Sequence, residues 1–289
     1  MDIGNRNTGR ENFFMGKRLR IAVFIVFFIG IVLTVFRYFE FVSKTVYEES
    51  ASHLTEVFHQ SNNVLNELAN KNLTYLHMWG EYLQKAFDES EIRDYIDKAQ
   101  EEAGFLYFYF LSADGNYKML TGETGYLGLQ ENLEDKITLG EDIITNAVVP
   151  GKQQMLVFAS PQSHGSYQGF EYDAIAIAYE NADIVDVLDI SAFNGNAKSY
   201  VVHPDGRVVI DHSFEAWGTV YNFFGVLREH SNMSEKEILE LSGKFKEGRT
   251  DTMLVNLDGS NYYLVYGNSE CQDWIFLGLV QADIVNASM

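Results

Sequence analysis

The hydrophobic pattern along the chain changes character twice, and each regime predicts a different kind of element. From Ile21 to Phe36 the residues read IAVFIVFFIGIVLTVF, with no charge, between Lys17, Arg18 and Arg20 on one side and Arg37 on the other. Leu19 before the stretch, and Tyr38, Phe39, Phe41 and Val42 after it, carry the apolar run past about twenty positions, enough for a helix to cross a hydrocarbon core of about 30 Å. The run is longer than the roughly 7–15 residues of a signal-peptide core, and no small-residue cleavage site follows it. It is apolar all round, unlike a helix on the surface of a soluble domain. A retained transmembrane helix over 21–42 is the expectation.

From Phe41 to Phe87 the apolar residues recur in steps of three and four: Val42, Val46, Leu54, Val57, Val64, Leu68, Tyr75, Trp79, Leu83 and Phe87. This is the helical period. It predicts one helix, or two end to end, of up to about 45 residues and roughly 65–70 Å. A shorter helix, Glu89 to Ala103, follows between the cap candidates Asp88 or Ser90 and Gly104. Residues 43–104 therefore form a helical spine.

After Gly104 the period falls to two. Phe105–Leu111 and Tyr117–Thr121 flank Asp114-Gly115, a strong hairpin signal. Residues 122–154 are mixed, with a short helix expected around Asp142–Ala147. Strands follow at Gln153–Ser160 and Asp173–Tyr179, joined by an exposed loop over Pro161–Glu171, and then a helix over Ala182–Leu188. The order then starts again. Ser199–Val202 and Arg207–Asp211 flank Asp205-Gly206, and helices are expected over Val220–Glu229 and Ser234–Phe245, the latter opened by the capping box Ser234-Glu-Lys-Glu237. Strands Asp251–Leu257, Asn261–Tyr266 and Trp274–Val280 close the chain. The fold class is α+β: a transmembrane helix, a long outer helix, and two tandem units with antiparallel sheets, over 105–190 and 191–285.

Charge orients this arrangement. The first twenty residues carry Arg6, Arg10, Lys17, Arg18 and Arg20 against Asp2 and Glu11. Short basic flanks stay in the cytoplasm, so residues from about 41 lie outside the cell membrane. The whole chain is −20, so the outer part is more acidic still, which suits neither nucleic acid nor anionic lipid. A hydrophobic fraction of 46% supports a packed core rather than disorder, and the lone Cys271 excludes an internal disulfide.

A membrane helix, a long outer helix and two PAS-like sheets resemble the double Cache sensor domains of bacterial receptors. The residues carrying the resemblance are Asp173-Ala-Ile-Ala-Ile-Ala-Tyr-Glu-Asn-Ala-Asp-Ile-Val185, then Tyr200-Val-Val-His-Pro-Asp-Gly-Arg-Val-Val-Ile210, and the closing Gln272-Asp-Trp274-Ile-Phe-Leu-Gly-Leu-Val280. The resemblance covers about residues 37–285. It implies a membrane-distal module at 105–190, a membrane-proximal module at 191–285 and a ligand-sensing role, as the input of a histidine kinase, most like the hybrid kinases. Inputs of diguanylate cyclases or chemoreceptors are alternatives, as is a membrane-anchored binding or adhesion module without output. A second membrane helix is expected beyond Met289, and no output activity resides in these residues.

The resemblance also implies that the distal module holds the ligand. Its candidates are Tyr107, Tyr109, Tyr126, Phe158, Ser160, Asp173 and Tyr179. The two-residue period places Tyr107 and Tyr109 on one face and Phe108 and Phe110 on the other. The amino-acid-binding members carry a Tyr, Arg, Trp, Tyr series before the third strand, yet no Arg or Trp lies between Leu120 and Ser160. An acidic, tyrosine-rich pocket suits a cation or amine instead. The other partners expected are the membrane and a second copy of the chain, through a seam of Leu54, Val57, Val64, Leu68 and Tyr75. No cofactor, metal site or catalytic group is expected. His203, Asp211 and His212 lack a third ligand nearby, and Ser163-His164-Gly165-Ser166 is not a nucleophile elbow.

Overall fold

The computed structural model describes residues 8–85, 88–129, 132–148, 154–188, 197–211, 217, 220–269 and 273–288. The chain divides into two compact units, Met1–Ser52 and His53–Met289. One helix, α1 (Thr8–Leu83), runs through both.

In the first unit, Phe27 to Phe36 are exposed at consecutive positions, so apolar side chains cover every side of the helix. The side chains of Ile21, Ala22, Val23, Ile25 and Val26 lie outside the described residues. Among the described residues no helix is long and apolar enough to cross a membrane. The transmembrane helix expected over 21–42 is therefore not supported by the described residues.

The second unit contains two sheets of one design. In the first, β1 (Tyr107–Leu111) and β2 (Asn116–Met119) form the Asp114-Gly115 hairpin, extended by β3 (Thr124–Tyr126). Beyond it lie β4 (Gly128–Leu129), α3 (Leu133–Leu139), β5 (Ile143–Val148), β6 (Gln154–Tyr167) and β7 (Phe170–Glu180), giving the order β3-β2-β1-β7-β6-β5-β4. After α4 (Asn181–Leu188), β8 (Ala197–Val202) and β9 (Val208–Asp211) form the second Asp-Gly hairpin. The helices α5 (Phe223–His230) and α6 (Glu235–Lys246), then β10 (Asp251–Leu257), β11 (Ser260–Asn268) and β12 (Ile275–Gln281), complete a sheet of order β10-β11-β12-β8-β9. A short α7 (Ala282–Ser288) follows. In each sheet the last strand lies beside the first and the opening hairpin sits at one side, so the tandem repeat read from the two Asp-Gly pairs is present. The boundary expected between the two sheet modules, at 190/191, lies outside the described residues.

Local chemistry explains the element ends. The helix α2 (Glu89–Ala103) begins where Asp88 accepts the Ser90 N–H and ends at Gly104 with φ 76°. The Ser234–Glu237 capping box opens α6. Both hairpin turns need a left-handed residue, supplied by Gly115 and Gly206, each at φ 86°. At Gly206 a Cβ would also lie 2.4 Å from the Phe224 ring.

Three expectations fail for physical reasons. The helix expected over Asp142–Ala147 is β5, because buried Ile143, Ile144 and Thr145 pair with Ala159, Phe158 and Val157 of β6. The loop expected over Pro161–Glu171 is mostly strand, with a register shift between Pro161 and Gly165. Buried Tyr167 and Tyr172 hold it down against Phe110, with ring centroids 4.3 and 5.0 Å apart. The helix expected from Val220 starts at Phe223 because Asn222 caps it through the Gly225 N–H.

Within the second unit α1 serves both sheets. Its Phe58 packs edge-on against Phe276 of β12 at 5.2 Å, and Asn62 donates to the Asn268 carbonyl. Further on, Asn72 accepts from Tyr179, and Trp79 packs on Phe105 and Phe108. Leu54 and Val57 are buried in this same unit, whereas Glu56, Gln60, Asn63, Val64, Glu67 and Lys71 are exposed. The seam expected to join two copies is therefore partly consumed by the chain's own core. The two sheets meet through polar side chains: Asn146 and Gln154 donate to the Val208 carbonyl at 3.4 Å, and Asn181 donates to the Val209 carbonyl at 3.2 Å.

Candidate ligand site

The first sheet separates the seven candidates onto two faces. Registry places Tyr107 opposite Ala178 and Tyr109 opposite Ala176, with Leu111 opposite Ala174. Val157 and Ala159 of β6 lie on this same face. Tyr117 joins them from β2, its ring 4.8 Å from Tyr109, while Tyr107 and Tyr109 lie 6.0 Å apart. Three alanines in alternation thus floor a surface on which three tyrosines cluster. Ile143, Ala147 and Met155 of β5 and β6 continue the face, and its cover is Leu127 with Leu133 and Ile137 of the seven-residue α3. Tyr109 is 1% exposed. Burial, then the neighbouring Tyr117, Tyr107 and Glu123, push its hydroxyl well above the ordinary tyrosine value, so it is a neutral hydrogen-bonding group at any working pH.

Phe158, Ser160 and Tyr179 lie on the opposite face, toward α1. Phe158 pairs with Ile177, which pairs with Phe108, so all three belong to the helix-side core. The Tyr179 hydroxyl donates to Asn72 at 2.8 Å and contacts the Ala103 carbonyl at 3.3 Å, and burial pushes its pKa up to about 12. Asp173 is spent locally: it accepts the Ala113 N–H at 3.0 Å and meets His164 Nδ1 at 3.1 Å. His164 reaches Glu171 through its other nitrogen, also at 3.1 Å. Tyr126 is exposed on β3 opposite Asn116, one position out of phase with Tyr117 and Gly125. The seven candidates therefore do not line one pocket; Tyr107 and Tyr109 alone share the lightly covered face. Tyr117, Glu123 and the alanine row belong with them. The alternation in Asp173-Ala-Ile-Ala-Ile-Ala was the available signal for the alanines.

Among the described residues the second sheet offers no equivalent. Its corresponding face is filled by Phe223, Phe224, Leu227, Ile238, Leu241 and Phe245 of α5 and α6. Arg93, on α2, is the arginine nearest in sequence to the first sheet, and it is bound to the Leu120 carbonyl at 2.9 Å. Among the described residues no group of three His, Cys, Asp or Glu side chains is placed to hold a metal. Asp211 is described, paired across the sheet with Tyr200, but His212 lies outside the described residues.

No family model and no curated protein matches this sequence. Solved structures do match in shape. The ligand-binding domain of the amino acid chemoreceptor PctB from Pseudomonas aeruginosa, in complex with L-Gln, is similar with a TM-score of 0.58 at 14% identity, over 82% of this chain and 93% of that one. The sensory domain of the chemoreceptor Tlp3 from Campylobacter jejuni, with isoleucine bound, gives 0.54 at 8% identity over 84% and 97%. The extracellular domain of mmHK1S-Z3, a protein assigned as a histidine kinase, gives 0.53 at 12% identity over 82% and 96%. The chain has the fold of these Cache-type ligand-binding sensor domains, and chemoreceptors and a kinase share it alike.

Proposed function

We propose that this chain is the extracytoplasmic ligand-sensing part of a membrane signalling receptor. Residues 21–42 anchor it, the basic tail lies inside, and the first module is membrane-distal. The observation that carries the reading is the asymmetry between two sheets of one topology. The first keeps a tyrosine- and alanine-lined face under a short helix, where the second is filled by two full helices. Ligand pockets need a few fixed polar groups on a mostly apolar wall, and Tyr107, Tyr109, Tyr117 and Glu123 meet that requirement. The two chemoreceptor domains similar in shape are solved with amino acids bound, but the carboxylate-clamping arginine has no counterpart in the sequence of the first sheet, and Arg93 is engaged elsewhere. A small organic amine fits better, its cation against ring faces and beside Glu123. Sensing then follows if the ligand prefers one placement of α3 and β4 over another.

The test is a thermal-shift screen of the full chain in detergent against spermidine, choline and the common amino acids. A rise of several degrees with an amine, lost in Tyr107→Phe and Glu123→Gln, supports the reading. No shift with any compound at millimolar concentration would sink it, and a shift with amino acids alone would replace the amine.

A further inference from the structure

A cavity lies on the α1 side of the first sheet, between α1 and α2. Its volume is about 220 Å³, and its walls include Tyr75, Trp79, Tyr95, Lys98 and Glu102. The aromatic walls are held in place. Tyr75 stacks on Trp79 with centroids 5.5 Å apart and planes 19° apart, and Tyr95 stacks on Tyr82 at 4.0 Å. Lys71 covers the Tyr75 ring at 5.6 Å. Trp79 is 4% exposed and continues into Phe105 and Phe108, so the floor of the cavity is part of the sheet's own core.

The rim carries two opposite charges on one turn of α2. Lys98 and Glu102 stand four residues apart, the spacing at which helical ion pairs form, although with the lysine first this is the weaker order. They do not pair with each other, and neither has an ion-pair partner among the described residues. Cβ atoms at this spacing lie about 5–6 Å apart. An ammonium and a carboxylate carried one helical turn apart, beside rigid aromatic walls, offer both charges that a small linear zwitterion needs. We propose that the α1–α2 cavity binds a short ω-amino carboxylate, its carboxylate on Lys98, its ammonium on Glu102 and its methylene chain along Tyr75 and Trp79. This site is separate from the tyrosine face, which lies across the sheet and lacks a cationic clamp.

Occupancy would also bear on α1. The cavity is bounded by the Ala103 end of α2, where the Tyr179 hydroxyl contacts the carbonyl and joins it to Asn72 of the long helix. A ligand bridging the two helices fastens α2 to the element that runs on to the second sheet.

The experiment is calorimetric titration of the full chain in detergent with 5-aminovalerate, pentanoate and n-pentylamine. The zwitterion is expected to bind, and each one-ended analogue about tenfold more weakly or worse, the loss of one charged hydrogen bond. Lys98→Ala and Glu102→Ala should each weaken the zwitterion to the same degree, while Lys236→Ala on α6 changes nothing. Lys98 and Glu102 are exposed, so both variants fold, and an unchanged melting temperature verifies that. Equal binding of all three probes, binding indifferent to both variants, or no heat at about 10 mM probe would each overturn the proposal.

Discussion

The two modules are built on the same strand order, yet they treat the face away from α1 in opposite ways. In the second module α5 and α6 lay Phe223, Phe224, Leu227 and Phe245 onto Tyr200, Leu264, Tyr266 and Leu277. Phe245 alone stands 5.2 Å from Phe224 and 5.1 Å from Tyr266. In the first module the helical cover of the same face is the seven-residue α3 alone, with Leu133 and Ile137 over alanines and tyrosines. Long amphipathic helices make a permanent core, because each buries several large side chains at once. Short segments bury few, so they open at less expense than the whole domain. The comparison teaches that one topology is closed firmly where two amphipathic helices cover it and loosely where one short helix does.

The comparison is broken or sharpened first by truncating the covers. Phe245→Ala should destabilise the protein by about 3–5 kcal/mol in chemical denaturation, as expected for a fully buried ring. Leu133→Ala, in the light cover of the first module, should lie at the low end for a leucine, about 2 kcal/mol. Equal losses would erase the distinction. The next effect is smaller. Asn181→Ala removes the hydrogen bond that ties the start of α4 to the Val209 carbonyl of the second sheet, and should remove about 1–2 kcal/mol. If the modules are mechanically joined there, the variant also separates one thermal transition into two; an unchanged single transition argues against the join.

Asp211 gives the third prediction. Burial pushes its pKa up to about 6, against the Val220 N–H that opposes the shift. A raised carboxylate binds its proton more tightly in the folded state than in the unfolded chain, whose value is about 4. Its contribution to stability is therefore full below about pH 4, declines as pH rises to about 6, and is flat above that. Asp211→Asn keeps the acceptor for Val220 and removes the ionisation, so it should gain on the native protein across that window. A native-minus-variant difference that does not change between pH 4 and 7 would contradict it. Smaller still, His77→Ala removes an exposed contact to Asp142 and should change stability by less than about 1 kcal/mol at neutral pH.

How far the sequence could be read follows from where the signals sit. Both Asp-Gly turns, the Asp88 cap, the Gly104 stop and the Ser234 capping box were legible because each is settled by a few adjacent residues. The pairing of Tyr107 with Tyr109 on one face was legible because a strand alternates by two. Phe158, Ser160 and Tyr179 were placed with them in error, because which faces of two strands coincide depends on registry, and no local residue encodes it. Asp173 looked like a pocket acid but is held by Ala113 in the β1–β2 turn and by His164. The strand β5 was hidden by its short length and by the glycine and acidic residues before Ile143. Leu54 and Val57 have the spacing of a seam between two chains, but the same spacing serves packing on the chain's own sheet.

The central claim is that a small molecule settles on the lightly covered face of the first module. Amide hydrogen exchange on the full chain, with and without the compound found by thermal shift, tests it most directly. The account predicts new protection over residues 116–147 and little change over 223–246. Protection confined to 223–246, or none in the first module, would contradict it.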